Sequence, residues 1–503
     1  MIHDLLIVGG GINGCAIARD AAGRGLSVLL IEQGDLAQGT SSASTKLIHG
    51  GLRYLELYEF RLVHEALAER ELLLAAAPHI IWPLTFVLPH EPGMRPAWLV
   101  RLGLFLYDHL ARRKRLDGSH MVALAGNALG APLRASYKTG FTYADCWVDD
   151  SRLVVLNARD AHERGATIRV GAKLASAARK GDRWIARIES VAGAEEVEAR
   201  VLVNAAGPWV SRVIDDALHL RSRKNTRLVK GSHLVTRKLF DGDHAYILQN
   251  PDKRIVFAIP YEADFTLVGT TDVPYDDAPG KVEISDAETD YLLASINRCF
   301  AHEVGRDDIV WSYAGLRPLY DDGSLDASVV TRDYAFDLDT NGDRASALSI
   351  FGGKITTARR LAEHALDELS AFLPEHGGAW TKTAPLPGGD MREADFEAFL
   401  AGLMQTKPFL APALARRLAR AYGTRVWRIL KDARSMSDLG ADHGCGLTDA
   451  EIAYLVEEEW ARSLDDILWR RSKLGLHLTK EQQDALVAAF AAIRTASLKR
   501  LSF

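Results

Sequence analysis

Four consecutive apolar residues, Leu5-Leu6-Ile7-Val8, break into Gly9-Gly10-Gly11-Ile12-Asn13-Gly14, and an alanine-rich run follows from Cys15 to Ala22. A short run with no polar alternation predicts a strand buried on both faces, as in a parallel sheet. The alanine-rich run predicts a helix ended by Gly23-Arg24-Gly25. Val28-Leu29-Leu30-Ile31 predicts the next strand, closing on Glu32. Together these make one βαβ unit of about 30 residues. The Ser/Thr-rich stretch Thr40–Ser44 predicts a loop or helix cap, and Glu59–Ala77 a helix. Further strands are predicted at Ile168–Val170, Val201–Val203, Ile255–Ile259 and Thr266–Val268, so the fold class is α/β. Pro385-Leu386-Pro387-Gly388-Gly389 predicts a domain boundary, and the pattern beyond it is helical. There, Thr448-Asp449-Ala450-Glu451 and Thr479-Lys480-Glu481-Gln482 are capping-box spellings.

Composition narrows the picture mainly by exclusion. The 503 residues suffice for several domains, and 48% hydrophobic with 25% charged residues is ordinary for a globular chain. A formal net charge of −5 offers no global attraction for nucleic acid. The four cysteines, Cys15, Cys146, Cys299 and Cys445, form no CxxC pair, so no metal or dithiol site is predicted. Cys15 reads as a small buried filler. Glycines interrupt the N-terminal apolar run before it reaches the length of a secretory leader. No apolar run reaches the roughly 18 residues that a membrane span requires.

Gly9-x-Gly11-x-x-Gly14 between strand and helix has a specific physical reading. The first glycine permits the tight turn, the second lets backbone approach a pyrophosphate, and the third lets the helix pack on the strand. The helix N-terminus attracts the phosphates, with Ile12 and Asn13 inside the turn. Glu32, with Gln33 beside it, ends the next strand where an acid accepts ribose hydroxyls and disfavours a 2′-phosphate. The motif alone does not separate NAD from FAD.

Thr40-Ser-Ser-Ala-Ser-Thr-Lys-Leu-Ile-His-Gly-Gly-Leu-Arg-Tyr54 and Phe351-Gly-Gly-Lys-Ile-Thr-Thr357 give the chain a family resemblance. It resembles the FAD-dependent glycerol-3-phosphate dehydrogenases, above all the bacterial aerobic, quinone-linked type. These lie in the larger group that includes D-amino-acid and glycine oxidases. The likeness extends through Cys146–Arg152, Val203–Trp209, Lys230–His233, Gly269–Asp272, Gly315–Pro318 and Asp465–Arg471, nearly the whole chain. Two positions depart from the usual spelling: Cys15-Ala16 follows Gly14, and Ala358 stands where a tyrosine commonly precedes Arg359.

The resemblance implies a Rossmann-like FAD-binding domain, an interleaved antiparallel-sheet substrate domain and a helical C-terminal domain. The oxidoreductase region would span 1–384, with FAD segments at about 1–80, 145–215 and 310–370. Substrate or cap segments would fall at about 81–144 and 216–309, and the C-terminal domain at 385–503. It further implies that Thr40, Ser41, Ser42, Lys46 and Leu47 run along the cofactor. Gly207 would lie beside its ribityl and adenosine part, and Gly352, Gly353, Lys354, Ile355 and Thr356 at the flavin pyrimidine edge.

A glycerol phosphate substrate calls for cations and a proton acceptor. Arg53 and Arg317 suit the phosphate, because guanidinium offers paired donors. His49 and His233 suit the proton, because imidazole titrates near neutral pH. Arg317 and Lys354 also stabilise developing negative charge, while Tyr54, Thr270 and Asp272 complete the pocket. The expected reaction is oxidation of sn-glycerol 3-phosphate to dihydroxyacetone phosphate, with electrons passed to a membrane quinone. An oxygen-reducing oxidase, an amine oxidase on the same fold and a non-catalytic flavin-binding assembly protein are the alternatives.

Pro96–Arg115 predicts an amphipathic helix. Leu99, Leu102, Leu106 and Leu110 share one face, and Arg101, Asp108, Arg112 and Arg115 another. Trp98 and Tyr107 suit a headgroup boundary, and the closing Arg-Arg-Lys-Arg suits anionic lipid. The expected location is therefore cytoplasmic, peripheral on the cytoplasmic face of the inner membrane. Homodimer formation, membrane contact or partner binding by the C-terminal helices stays open.

Overall fold

The computed structural model of the protein describes residues 2–91, 94–321, 333–342 and 344–501. Residues 322–332, within the expected FAD segment 310–370, therefore lie outside the described residues. The chain builds two sheets. In the first, the order is Ala335–Asn341, Arg344–Phe351, Gly193–Asn204, Ile2–Val8, Val28–Glu32 and Thr167–Val170. Every neighbouring pair after the first is parallel, and most of these join strands from distant parts of the chain. The unbroken apolar runs follow because both faces are covered: helices bury Leu5, Ile7, Val28 and Leu30, and the paired strands Ala172–Lys180 and Arg183–Ser190 bury Leu6, Val8, Leu29 and Ile31. Helix Ile12–Gly23 is buried from Gly14 to Ala22 and packs against helices Asp150–Glu163 and Ala358–Leu369. Cys15 and Ala358 are both buried in this layer, where a small side chain fits close helix packing.

The second sheet has ten strands and is antiparallel except where His244–Gln249 runs parallel to Ile81–His90. Thr226–Arg237 lies against Ile309–Tyr320 along nearly their whole length, pairing Gly231 with Gly315 and Val229 with Arg317. This register brings Arg317 to the same edge as the loop after Phe265–Gly269, which pairs with the other side of Thr226–Arg237. The Gly269–Thr270 peptide is cis.

Beyond residue 390 the described chain is helical, with its own apolar core around Leu403, Tyr422, Val426 and Leu455. Thr448 accepts from the Glu451 N–H, and Thr479 and Gln482 exchange both bonds of the capping box.

The predicted surface helix is present as Ala97–His109, shorter than the Pro96–Arg115 pattern. Trp98 is 68% exposed and Phe105 48%, with Leu99, Leu102 and Leu106 also exposed. Tyr107 is a correction. Its ring is buried, and its hydroxyl donates to Asp145 at 2.8 Å and accepts from the Gly50 N–H at 2.8 Å. A phenol with two internal partners is more stable there than at a headgroup boundary. Asp108 is likewise buried, accepting from Ser119 and Arg113. The basic run is also partly engaged, with Arg113 on Asp108 and Arg115 donating to the Glu393 carbonyl.

Candidate active site

One cavity of about 1640 Å³ runs between the two sheets. Small-molecule pockets commonly hold roughly 300–1,000 Å³, so this one has room for a dinucleotide and a second, smaller molecule. One end is formed by Gly9, Gly11, Ile12 and Asn13. Gly9 adopts φ +115°, where a side chain would also strike the Ala205 carbonyl at 2.5 Å. Gly14 faces the other way: a Cβ there would lie 2.0 Å from the Gly9 carbonyl oxygen. Its absence lets helix and turn pack closely, the structural function read for the third glycine.

Glu32 and Gln33 line the same end. The Glu32 carboxylate accepts from the Gly10 and Gly34 N–H groups, each at 2.7 Å. Burial nonetheless holds its pKa above the ordinary carboxylate value, with those N–H groups opposing. Thr40, Ser41, Ser42 and Leu47 continue the wall. Ser41 Oγ accepts from the Ile12 N–H at 3.0 Å, so the serine loop closes directly on the glycine turn.

Lys46 departs from its expected place at the cofactor. Its side chain is 1% exposed and turned from the cavity, with Nζ 2.9 Å from Asp150 and 3.1 Å from the Ser42 carbonyl. A buried ammonium needs such a partner, and Asp150 at the head of a helix supplies it. The pair fastens the serine loop from behind.

Gly207 lines the opposite wall at φ +54°, and no described heavy atom lies within 4 Å of where its Cβ would stand, so its backbone borders open space. Gly352, Gly353, Lys354, Ile355 and Thr356 also line the cavity, beside Asn13. Gly352 and Gly353 have φ of +82° and +101°, and Asn13 Nδ2 donates to the Gly352 carbonyl at 3.2 Å. Asn13 Oδ1 is buried with no hydrogen-bond partner among the described residues. The two glycine loops are thus neighbours, although Asn13 and Gly352 stand 339 residues apart in sequence.

Arg53, Arg317 and Lys354 all line the cavity, with His49, Tyr54, Thr270 and Asp272. Arg317 donates to Thr270 Oγ1 at 2.7 Å and to the Thr271 carbonyl at 3.2 Å, and forms an ion pair with Asp272. Lys354 Nζ lies 4.2 Å from the Tyr54 ring centre. His49 is half-buried, and burial with nearby Lys354 and Arg70 holds its pKa below the ordinary value against the pull of Asp145. It is therefore neutral at pH 7, able to accept a proton.

His233, like Lys46, does not itself line the cavity. It is buried outside the cavity, its ring stacked on Tyr313 at 4.7 Å and its Nε2 3.0 Å from Thr45 Oγ1. Burial beside Arg317 and Lys46 pushes its pKa well down. Its neighbours Thr45 and Tyr313 line the cavity, and its Nδ1 is buried with no hydrogen-bond partner among the described residues.

Sequence reasoning missed Trp311, Trp469 and Arg470, which also line the cavity. Trp469 and Arg470 come from the helical C-terminal region, and Trp469 stacks on Trp311 at 4.5 Å. They lie in the Asp465–Arg471 stretch that carries part of the family likeness, but no local spacing rule points that stretch at a cofactor.

Two positive-φ glycine loops facing one cavity, a helix N-terminus, a ribose-placed acid and an orphaned Asn13 oxygen fit a dinucleotide lying between the loops. A cation beside the Gly352-Gly353 loop fits a flavin there. Fold and site together define a flavin-dependent oxidoreductase. The chain belongs to the FAD dependent oxidoreductase family, whose model matches residues 4–359. Residues 379–498 match the C-terminal domain of alpha-glycerophosphate oxidase. The chain is 54% identical to a glycerol-3-phosphate dehydrogenase of Pseudomonas aeruginosa, covering 96% of this chain and 94% of that one. It is 51% identical to a D-erythritol 1-phosphate dehydrogenase of Brucella abortus, covering 97% of each. The solved glycerol-3-phosphate dehydrogenase of Bacillus halodurans, complexed with FAD, aligns over all of this chain and 94% of its own, with TM-score 0.77 and 27% identity. The expected cofactor is thus FAD.

Proposed function

We propose that the enzyme oxidises sn-glycerol 3-phosphate to dihydroxyacetone phosphate and passes the electrons to a membrane quinone. The observation that carries this reading is that Arg53, Arg317, Lys354 and a neutral His49 all line the cavity that takes FAD. Bound FAD supplies the two-electron acceptor for the C2 hydrogen. Arg53 and Arg317 hold the phosphate dianion. His49 accepts the C2 hydroxyl proton, and Lys354 stabilises the negative charge that builds as the proton leaves. Tyr54 braces Lys354 through its ring, while Thr270 and Asp272 hold the Arg317 guanidinium in place.

A four-carbon relative of the substrate is the second reading, favoured by the 51% identity to a D-erythritol 1-phosphate dehydrogenase. Phosphate binding would be common to both, and the added carbon would need only cavity length. Anaerobic titration of the holoenzyme tests the choice. Bleaching of the flavin by glycerol 3-phosphate at low concentration supports the first reading, and preferential bleaching by D-erythritol 1-phosphate supports the second. Bleaching by glycine instead, or none by any of the three, overturns both. Faster re-oxidation by a quinone than by oxygen is the expected result for the acceptor.

The exposed face Trp98, Leu99, Leu102, Phe105 and Leu106 supports peripheral attachment to an anionic membrane, where the quinone resides. Among the described residues no helix is long and apolar enough to cross a membrane.

A further inference from the structure

The C-terminal region touches the FAD cavity through one π-helical turn, Asp466–Arg471. Arg471 is 0% exposed, and its two terminal nitrogens donate to the two carboxylate oxygens of Asp35, each at 2.7 Å. Arg470 Nε donates to the same carboxylate at 2.5 Å, and Arg470 is among the residues that line the cavity. Asp35 closes the loop that begins at Glu32, the acid placed for the adenosine ribose. A second contact secures the neighbouring segment. Gly171 N–H donates to the Gly34 carbonyl at 3.1 Å, and the Arg462 guanidinium occupies the space where a Gly171 Cβ would stand. Residues 172–175, directly after Gly171, line the cavity.

The turn is itself braced. Asp466 accepts from the Arg462 and Ser463 N–H groups and pairs with Arg470. Arg471 also donates to the Glu459 carbonyl, and the Glu459 carboxylate grips Arg152 at the head of helix Asp150–Glu163. Both partners of that pair are buried, so neither can be released without leaving an unpaired charge.

We infer that the C-terminal region is a cofactor latch: through Asp35 its Arg470 and Arg471 fix the loop that receives the FAD adenosine, so retention of FAD depends on them. Three guanidiniums from one short segment converge on the adenosine end of the cavity. A separate domain that only added stability would not need to meet the cofactor loop there. The inference concerns positioning: Asp35 and Arg471 act through the loop, and Arg470 adds a cation at the cavity wall.

The test uses the full-length holoenzyme and its Arg470→Ala, Arg470→Lys and Asp35→Asn variants. FAD dissociation is followed by recovery of flavin fluorescence, and thermal unfolding is recorded with and without added FAD. The expected result is at least a tenfold rise in the FAD dissociation constant for Arg470→Ala and Asp35→Asn, with partial rescue by lysine. The stabilisation that FAD confers should shrink in the same variants. Arg416→Ala, which breaks an exposed pair with Glu397 in the same region, should leave FAD affinity unchanged. Equal loss of melting temperature with and without FAD, at unchanged FAD affinity, would overturn the latch and leave a merely structural contact. If Asp35→Asn fails to fold, the two Arg470 variants decide. Absence of any FAD-dependent stabilisation in the unaltered protein would instead refute the cofactor reading.

Discussion

Replacing Arg317 by alanine removes a phosphate donor and also changes the charge its partner presents. In the structure the guanidinium is shared among Asp272, Thr270 Oγ1 and the Thr271 carbonyl, while it lines the substrate end of the cavity. Loss of hydrogen bonds to a charged group costs about 1.5–3 kcal/mol, or roughly 10- to 150-fold in affinity. The negative charge of Asp272, which lines the same cavity, is then no longer offset by Arg317. Two unit charges about 8 Å apart at an effective dielectric of about 20 repel by about 2 kcal/mol, and solvent at this part-exposed site reduces that to about 1 kcal/mol. Arg317→Ala should therefore raise KM by a few hundred-fold, with FAD still bound. Asp272→Asn in the Arg317→Ala background should recover about fivefold, although Asp272→Asn alone gives no gain because it loosens Arg317. Steady-state kinetics on the four proteins of this double-mutant cycle measure the coupling. Purely additive effects, or an Arg317→Ala enzyme with unchanged KM, would refute a phosphate clamp built on this pair.

Three further outcomes follow from the geometry. His49→Asn should lower kcat by about 10²–10⁴-fold with little change in KM, and should abolish the acidic limb of the rate profile. Because the His49 pKa is held below its ordinary value, that limb should begin only as pH falls below about 6.5; an acid limb retained in His49→Asn removes it as the base. His79 is fully buried with neither ring nitrogen bonded among the described residues, and its pKa is pushed down to about 3. The unfolded chain therefore takes up the proton first, so this group's stabilising share is full above about 6.5 and falls as pH drops toward 3; at pH 5 the loss is about 2 kcal/mol. His79→Leu should narrow the difference in unfolding midpoint between pH 7.5 and pH 5, and an unchanged difference would count against it. Finally, the Trp98→Ser, Phe105→Ser pair should reduce co-sedimentation with anionic vesicles at least tenfold without altering activity toward a soluble electron acceptor. Unreduced binding would move the membrane contact elsewhere.

Local chemistry in the sequence determined the βαβ unit, because unbroken apolar runs, a three-glycine turn and a strand-ending Glu32 act over neighbouring residues. The same holds for the capping box at Thr479 and Gln482, whose two partners lie three residues apart. Family likeness carried the reading further, to the Gly352-Gly353-Lys354 loop and the two arginines. Tertiary structure alone decided which of these groups meet. Lys46 and His233 look as suitable as Lys354 and His49 by residue type, yet packing buries the first two behind the wall and leaves the others at the cavity. Tyr107 reads as an interfacial aromatic until Asp145 and Gly50 are seen to satisfy its hydroxyl. Arg470 and Arg471 meet Asp35 across more than 430 residues of chain. Desolvation and ion pairing depend on what surrounds a charge in three dimensions, and no periodicity or short motif encodes that neighbourhood.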